Sequence, residues 1–265
     1  MALPGQAVRD RLTHLAGQPE PDLAGTALLL AALDLPCDPE TFSARLDGLA
    51  AGLDGGTAEI RAARLAERLA GFALDTCDED HSANLMWVLD HRRGTPEALG
   101  VVWLEVAWRA GWSAEALAFP GPLLVRLKDE AGGRVIVDPV LDGMVLAPPE
   151  LRALLKAQAG LAAELEPSLF APLSNRDILL RLQNEAKLKA LRSGRVAEAL
   201  ELVEAVLLFA PEQANLWREA GMMHMRLDNL PAAIAALEQF VARTGNGPAK
   251  RRTQLLLQEI RARLR

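Results

Sequence analysis

A spacing of 34 residues in the last third of the chain constrains its fold more than any other feature. Ala199 and Ala233, Val203 and Leu237, and Val206 and Phe240 all stand at that offset. Two antiparallel helices and their turns need a period of this length, so residues 180–247 read as repeated helical hairpins. In the second unit the small residues Gly221 and Ala233 let the two helices approach closely, beside Trp217 and Leu237. Pro211 falls where the first unit closes. Two such units bury too little surface to stand alone. They must therefore lean on the rest of the chain, with 248–264 as a capping helix.

The residues before them are also mostly helical. Half the chain is apolar, only 4% is aromatic, and there is no tyrosine; alanine and leucine dominate, which favours helix. Residues 5–72 read as about three helices. A helix through "DLAGTALLLAALDLP" stops at Pro36 because proline cannot continue it. The next begins with Asp38 as cap and Pro39 at the first helical position, and Thr57 caps another after Gly55-Gly56. Thr95 and Pro96 open a further helix that Gly111 stops. Only residues 115–147 look β-like. There the apolar runs 123–127 and 135–137 flank the turn-rich "KDEAGGR" and read as a hairpin packed against helices.

Charge and cysteine usage narrow the function. The net charge of −6 leaves no general basic footprint for nucleic acid. The one local candidate, "AKRRTQLLLQEIRARLR", reads as a terminal helix with a solvated basic face. Cys37 and Cys77 lie in unrelated contexts, so no disulfide framework, metal site or cofactor is expected. The N-terminus lacks the apolar core of a signal peptide, and no early apolar run is long enough for a bilayer. The expectation is therefore a cytoplasmic chain without a membrane partner.

Trp217, Gly221, Ala233 and Leu237 occupy the offsets of a tetratricopeptide repeat. Upstream, "NLMWVLDHRRGTPEALGVVWLEVAWRAGW", "FPGPLLVR" and "VIVDPVLDG" follow one another, and "SNRDILLRLQNEAKLKAL" leads into the repeats. In order and spacing these stretches resemble the SirB-type family, in which a transglutaminase-like core precedes tetratricopeptide repeats. The resemblance covers about residues 20–245. It implies an α+β, mostly helical fold: a papain- or transglutaminase-like core with a small antiparallel sheet, then a helical repeat array. The domain division follows as 1–165 for the core, with its hairpin near 117–147, and 166–265 for the repeats and capping helix.

A core of this kind implies a cysteine at a helix start, a histidine and an aspartate, because a thiolate needs an imidazole as base and the ring needs a carboxylate to orient it. The helix-opening position carries Pro96, or Ala98 or Gly100 in a shifted register, and none of these attacks a carbonyl. Pro122 stands where the family usually has histidine. Asp138 alone remains, and an aspartate before proline more often caps a turn. His81 and Ser82 are adjacent, so they do not face each other on a helix. Glu97 and Glu105 share a face, although Glu97 is accounted for by the first helical turn. His224 sits inside the second repeat and reads as packing.

The expectation is a non-catalytic, regulatory interaction protein on an inactive core, binding one or more proteins through the repeats or the vestigial cleft. Trp217, Arg218, Gly221, Arg226 and Trp112 are the candidate binding residues; Trp112, beyond the Gly111 stop, is the tryptophan best placed for a surface, whereas Trp87 and Trp103 suit a core. Two alternatives stand beside it: a hydrolase or acyl-transferase using a site near Asp138, and a homodimer or other assembly element.

Overall fold

The computed structural model describes residues 4–77 and 79–263. It divides into two compact units. One takes in Glu20–Leu182, and the other groups Gln6–Pro19 with the residues from Gln183 onward. The first helix, α1 (Gly5–His14), thus counts with the repeats, where it buries Val8 and Leu12. No described helix is long and apolar enough to cross a membrane.

The first unit is built around two buried helices. α2 (Leu23–Asp34) is apolar on every side and correspondingly buried. α3 (Pro39–Ala50) and α4 (Ala58–Arg68) begin where their caps dictate, with the Asp38 side chain accepting from the Glu40 N–H and Thr57 from the Ile60 N–H. A two-residue parallel pair, β1 (Ala73–Leu74) with β2 (Arg93–Gly94), brackets α5 (Leu85–His91). The central helix α6 (Pro96–Arg109) starts at the Thr95 cap and is buried continuously from Glu97 to Ala107. Gly111 ends it at φ +76°, in the left-handed region.

A four-stranded antiparallel meander covers α6: β3 (Ser113–Ala116), β4 (Val125–Lys128), β5 (Arg134–Asp138) and β6 (Met144–Val145). The expected hairpin is its middle pair, with Val125 opposite Val137 and Lys128 opposite Arg134. Along β4, Val125 and Leu127 face the core while Arg126 and Lys128 face outward, the two-residue period of a strand. Glu115 sits opposite Arg126 and takes charged hydrogen bonds from Arg126 Nε (2.9 Å) and Lys128 Nζ (2.5 Å). The β4–β5 turn holds α4. Asp129 accepts from the N–H groups of Ala58 (2.9 Å), Ala131 (3.0 Å) and Gly133 (2.7 Å). These bonds hold its carboxyl below the usual carboxylate range. Beside it the buried Arg61 guanidinium reaches Lys128 O (2.6 Å) and the Glu130 carboxylate, and lies over the Trp112 ring. α7 (Pro148–Ala159) and the start of α8 (Asn175–Arg192) complete the unit.

The second unit continues α8 through α9 (Val196–Phe209), α10 (Ala214–Arg226), α11 (Leu230–Arg243) and α12 (Pro248–Arg263). All three residue pairs at the 34-residue offset are buried: Ala199 with Ala233, Val203 with Leu237, Val206 with Phe240. The turns repeat as well. Gly194 (φ +74°) and Asp228 (φ +56°) are both left-handed, 34 residues apart, and each reverses the chain into the second helix of its hairpin. A Cβ on Gly221 would lie 2.6 Å from Leu237 Cγ, so glycine is what lets α10 and α11 touch. Trp217 donates to Pro211 O (2.9 Å), and the Arg243 guanidinium lies over its ring.

Candidate functional site

The three positions where a transglutaminase-like core would hold its chemistry are carried by α6, the Pro122 segment and the end of β5. Pro96 is the first residue of α6, where its missing N–H and fixed φ suit the helix start. About one turn on, Gly100 is pressed against Leu123, since a Cβ there would fall 2.7 Å from Leu123 Cδ2. Leu123, which follows Pro122, thus occupies the space directly over the α6 backbone. Ala98 and Gly100 are both buried.

Asp138 ends β5 and is only 3% exposed. Its Oδ1 accepts from the Val140 N–H (2.9 Å), capping the short 3-10 turn Pro139–Leu141 that packs on α6. Burial pushes its pKa up, opposed by the backbone N–H groups of Val140 and Leu141. The Asp138 carbonyl accepts from the Gly143 N–H (2.9 Å), closing the loop onto the Trp103 ring. The arrangement brings α6 and the Asp138 turn together and gives the carboxylate a structural task. Leu141, Met144 and Val145, on the turn and the edge strand that follow, are solvent-exposed.

The other polar residues near α6 brace helices. Asn84 caps α5 through Oδ1, which accepts from the Met86 and Trp87 N–H groups, while Nδ2 donates to Ala31 O and Asp34 Oδ2. His81 Nδ1 also meets Asp34 Oδ2, at 2.8 Å, so that carboxylate ties the end of α2 to the start of α5. Ser82 is buried and its carbonyl accepts from the Thr95 N–H (2.9 Å), which separates its role from that of His81. Glu105 accepts from Ala24 N–H (3.0 Å) and from Arg109 Nε (3.3 Å), and burial pushes its pKa up. Asp34 carries no local signal in the sequence; its role arises only when α2 and α5 meet.

On the repeats, Arg218 and Arg226 are exposed on α10, whereas Trp217 is partly buried and Gly221 lies beneath Leu237. Gly221 is therefore a packing residue. His224 Nε2 pairs with Glu204 Oε1 (3.1 Å), joining α10 to α9. The expectation that Trp112 offers a surface is corrected. It is 5% exposed, because β3 begins directly after it and carries the ring under Arg61. Trp103 is buried as expected, while Trp87 is partly buried and stacks on His91 at 4.3 Å.

Comparison with known proteins agrees with this architecture. A model of the transglutaminase-like superfamily matches residues 40–184, and a tetratricopeptide repeat model matches residues 186–264. A UPF0162 protein of Xylella fastidiosa is 27% identical over 166 residues, 62% of this chain and 59% of its own length. Protein SirB1 of Salmonella typhimurium is 26% identical over 161 residues, 61% of this chain and 60% of its own. The match thus spans about three fifths of each of these relatives. A crystal structure of menin is similar at a TM-score of 0.41 and 11% identity, over 89% of this chain and 69% of menin; a likeness that distant carries no argument.

Proposed function

This chain belongs to the transglutaminase-like superfamily, and because the resemblance puts Pro96 (or Ala98 or Gly100) where a nucleophile would stand and Pro122 where a base would, we propose that it is a non-catalytic interaction protein that binds a protein partner through its repeats. The observation that carries this reading is the use made of the former site. Leu123 fills the space over Gly100, and the Asp138 carboxylate is spent on capping its own turn. A carboxylate without an imidazole has no ring to orient, and no named nucleophile or base remains to set up acyl transfer. The repeats supply the other half, since stacked helical hairpins present an extended surface suited to a peptide or helix. The exposed Leu141, Met144 and Val145 favour a second reading, in which the loop after Asp138 contributes to the same partner.

The test is affinity capture of the tagged full chain from its native cells, beside a variant carrying Arg218→Glu and Arg226→Glu. One protein recovered near stoichiometry from the wild type and lost from the variant supports the reading. No retained protein, together with turnover of an acyl substrate that Asp138→Asn abolishes, overturns it in favour of an enzyme near Asp138. A homodimer seen by light scattering, with no other protein captured, overturns it in favour of self-assembly.

A further inference from the structure

The 34-residue period extends from the buried positions to exposed and half-buried ones. Arg218 on α10 and Arg252 on α12 are equivalent residues one period apart, and so are Met222 and Leu256. One period earlier, α8 carries Asn184 and Leu188. Because α10, α11 and α12 are joined by short turns and alternate in direction, α10 and α12 run the same way. The two arginines therefore lie at one level of the array, and Met222 and Leu256 lie one turn further along. Arg218, Met222, Arg252, Thr253 and Leu256 line a single cavity of about 270 Å³.

The lining is apolar and cationic, without a carboxylate among the described residues. Arg218 makes no ion pair or side-chain hydrogen bond among the described residues, and Arg252 makes only a weak one to Pro248 O (3.4 Å). Two other exposed arginines do find acids, Arg261 with Glu238 and Arg45 with Asp90. The charge balance points the same way. Residues 183–265 hold 13 Lys+Arg against 9 Asp+Glu, in a chain whose remainder holds 16 against 26. Leu188 and Met222 are large apolar side chains left 36% and 42% exposed.

Resting on the reading that the repeats bind a protein, we propose that this groove takes an extended acidic peptide, its carboxylates on Arg218 and Arg252 and its apolar side chains against Met222 and Leu256. Guanidinium groups bind carboxylates with directed, charge-assisted hydrogen bonds. An extended chain rises ~3.3 Å per residue. Arg218 and Arg252 border one cavity, so carboxylates a few residues apart on one extended peptide reach both.

Fluorescence anisotropy on the full chain tests this with a fluorescein-labelled peptide of repeated Asp-Leu-Ala units, against matched Asn-Leu-Ala and Lys-Leu-Ala peptides. The acidic peptide is expected to bind at least about tenfold more tightly than the asparagine peptide, and to weaken as salt rises. Reversing both charges, Arg218→Glu with Arg252→Glu, is expected to switch the preference to the lysine peptide, which also shows that the variant is folded. Equal affinity for the aspartate and asparagine peptides, no binding of the acidic peptide, or no effect of the reversal overturns the proposal. An oligothymidine that binds more tightly with the same arginine dependence overturns it in favour of a phosphate polyanion. Concentration-dependent self-association lost on charge reversal overturns it in favour of a second copy of this chain. If the peptides fail while native-cell capture of a protein succeeds, only this inference falls; if capture itself fails, the binding function falls with it.

Discussion

Gly143→Ala probes the loop that follows Asp138 and closes onto the Trp103 ring. Gly143 has φ +75°, so any Cβ meets the left-handed penalty of about 1–2 kcal/mol. Its Cβ would also sit 2.0 Å from Trp103 Cη2, on a ring that is 2% exposed and has nowhere to move. Overpacking of that kind adds about 1–3 kcal/mol. Together the substitution should cost about 2–5 kcal/mol. Gly132→Ala is the internal control: φ is +87°, but its Cβ would meet nothing within 4 Å, so only the backbone penalty applies. Urea unfolding followed by tryptophan fluorescence reads chiefly this unit, since four of the five tryptophans, Trp87, Trp103, Trp108 and Trp112, lie in it. With a slope of about 2 kcal/mol per molar urea, Gly143→Ala should lower the midpoint by about 1–2.5 M and Gly132→Ala by about 0.5–1 M. Equal shifts for the two variants would refute the packing of the loop on Trp103.

Substitutions at three further residues, Asp138, Asp129 and Arg61, address the same unit. Asp138→Ala should cost about 0.5–2 kcal/mol through the lost cap, and Asp138→Asn much less because an amide oxygen can still accept from Val140. Burial raises the folded pKa of Asp138, so its contribution is full below the unfolded pKa and lost as pH rises through the folded one; Asp138→Asn should remove that slope from urea midpoints measured against pH. Asp129 has the opposite sign. Its lowered pKa gives stability that is present above the unfolded pKa and lost as pH falls through the folded one, so the gap between wild type and Asp129→Asn should close on acidification. Arg61→Met should cost about 2–4 kcal/mol in urea unfolding, because it removes charged hydrogen bonds from a buried site and the cation over Trp112.

Much of the fold was legible because its signals are local. Asp38, Thr57 and Thr95 cap helices through side chains a few residues from their targets, and Gly111 stops α6 by its own backbone freedom. The repeat was legible because the buried positions recur at one period. Strand β3 was not, since "SAEA" has little β-propensity and becomes a strand only by pairing with β4. Trp112 was misplaced for the same reason: the stop at Gly111 suggests a surface, and the strand after it turns the ring inward. At the candidate site, Asp138 as a turn residue was readable from the following proline, whereas the closure of Leu123 onto Gly100 needed the fold. The paired arginines of the groove lie at the period already seen in the core. They become a site only when short turns set α10 and α12 running in the same direction.

On the proposed function, binding belongs to the repeats while the Asp138 region serves as structure. Hydrogen–deuterium exchange of the full chain, with and without the protein captured from native cells, tests it most directly. Protection concentrated on residues 214–226 and 248–263, with 138–145 unchanged, is the predicted result. Protection confined to 138–145, with the two repeat helices unchanged, would contradict it and return the site to the loop beside Asp138.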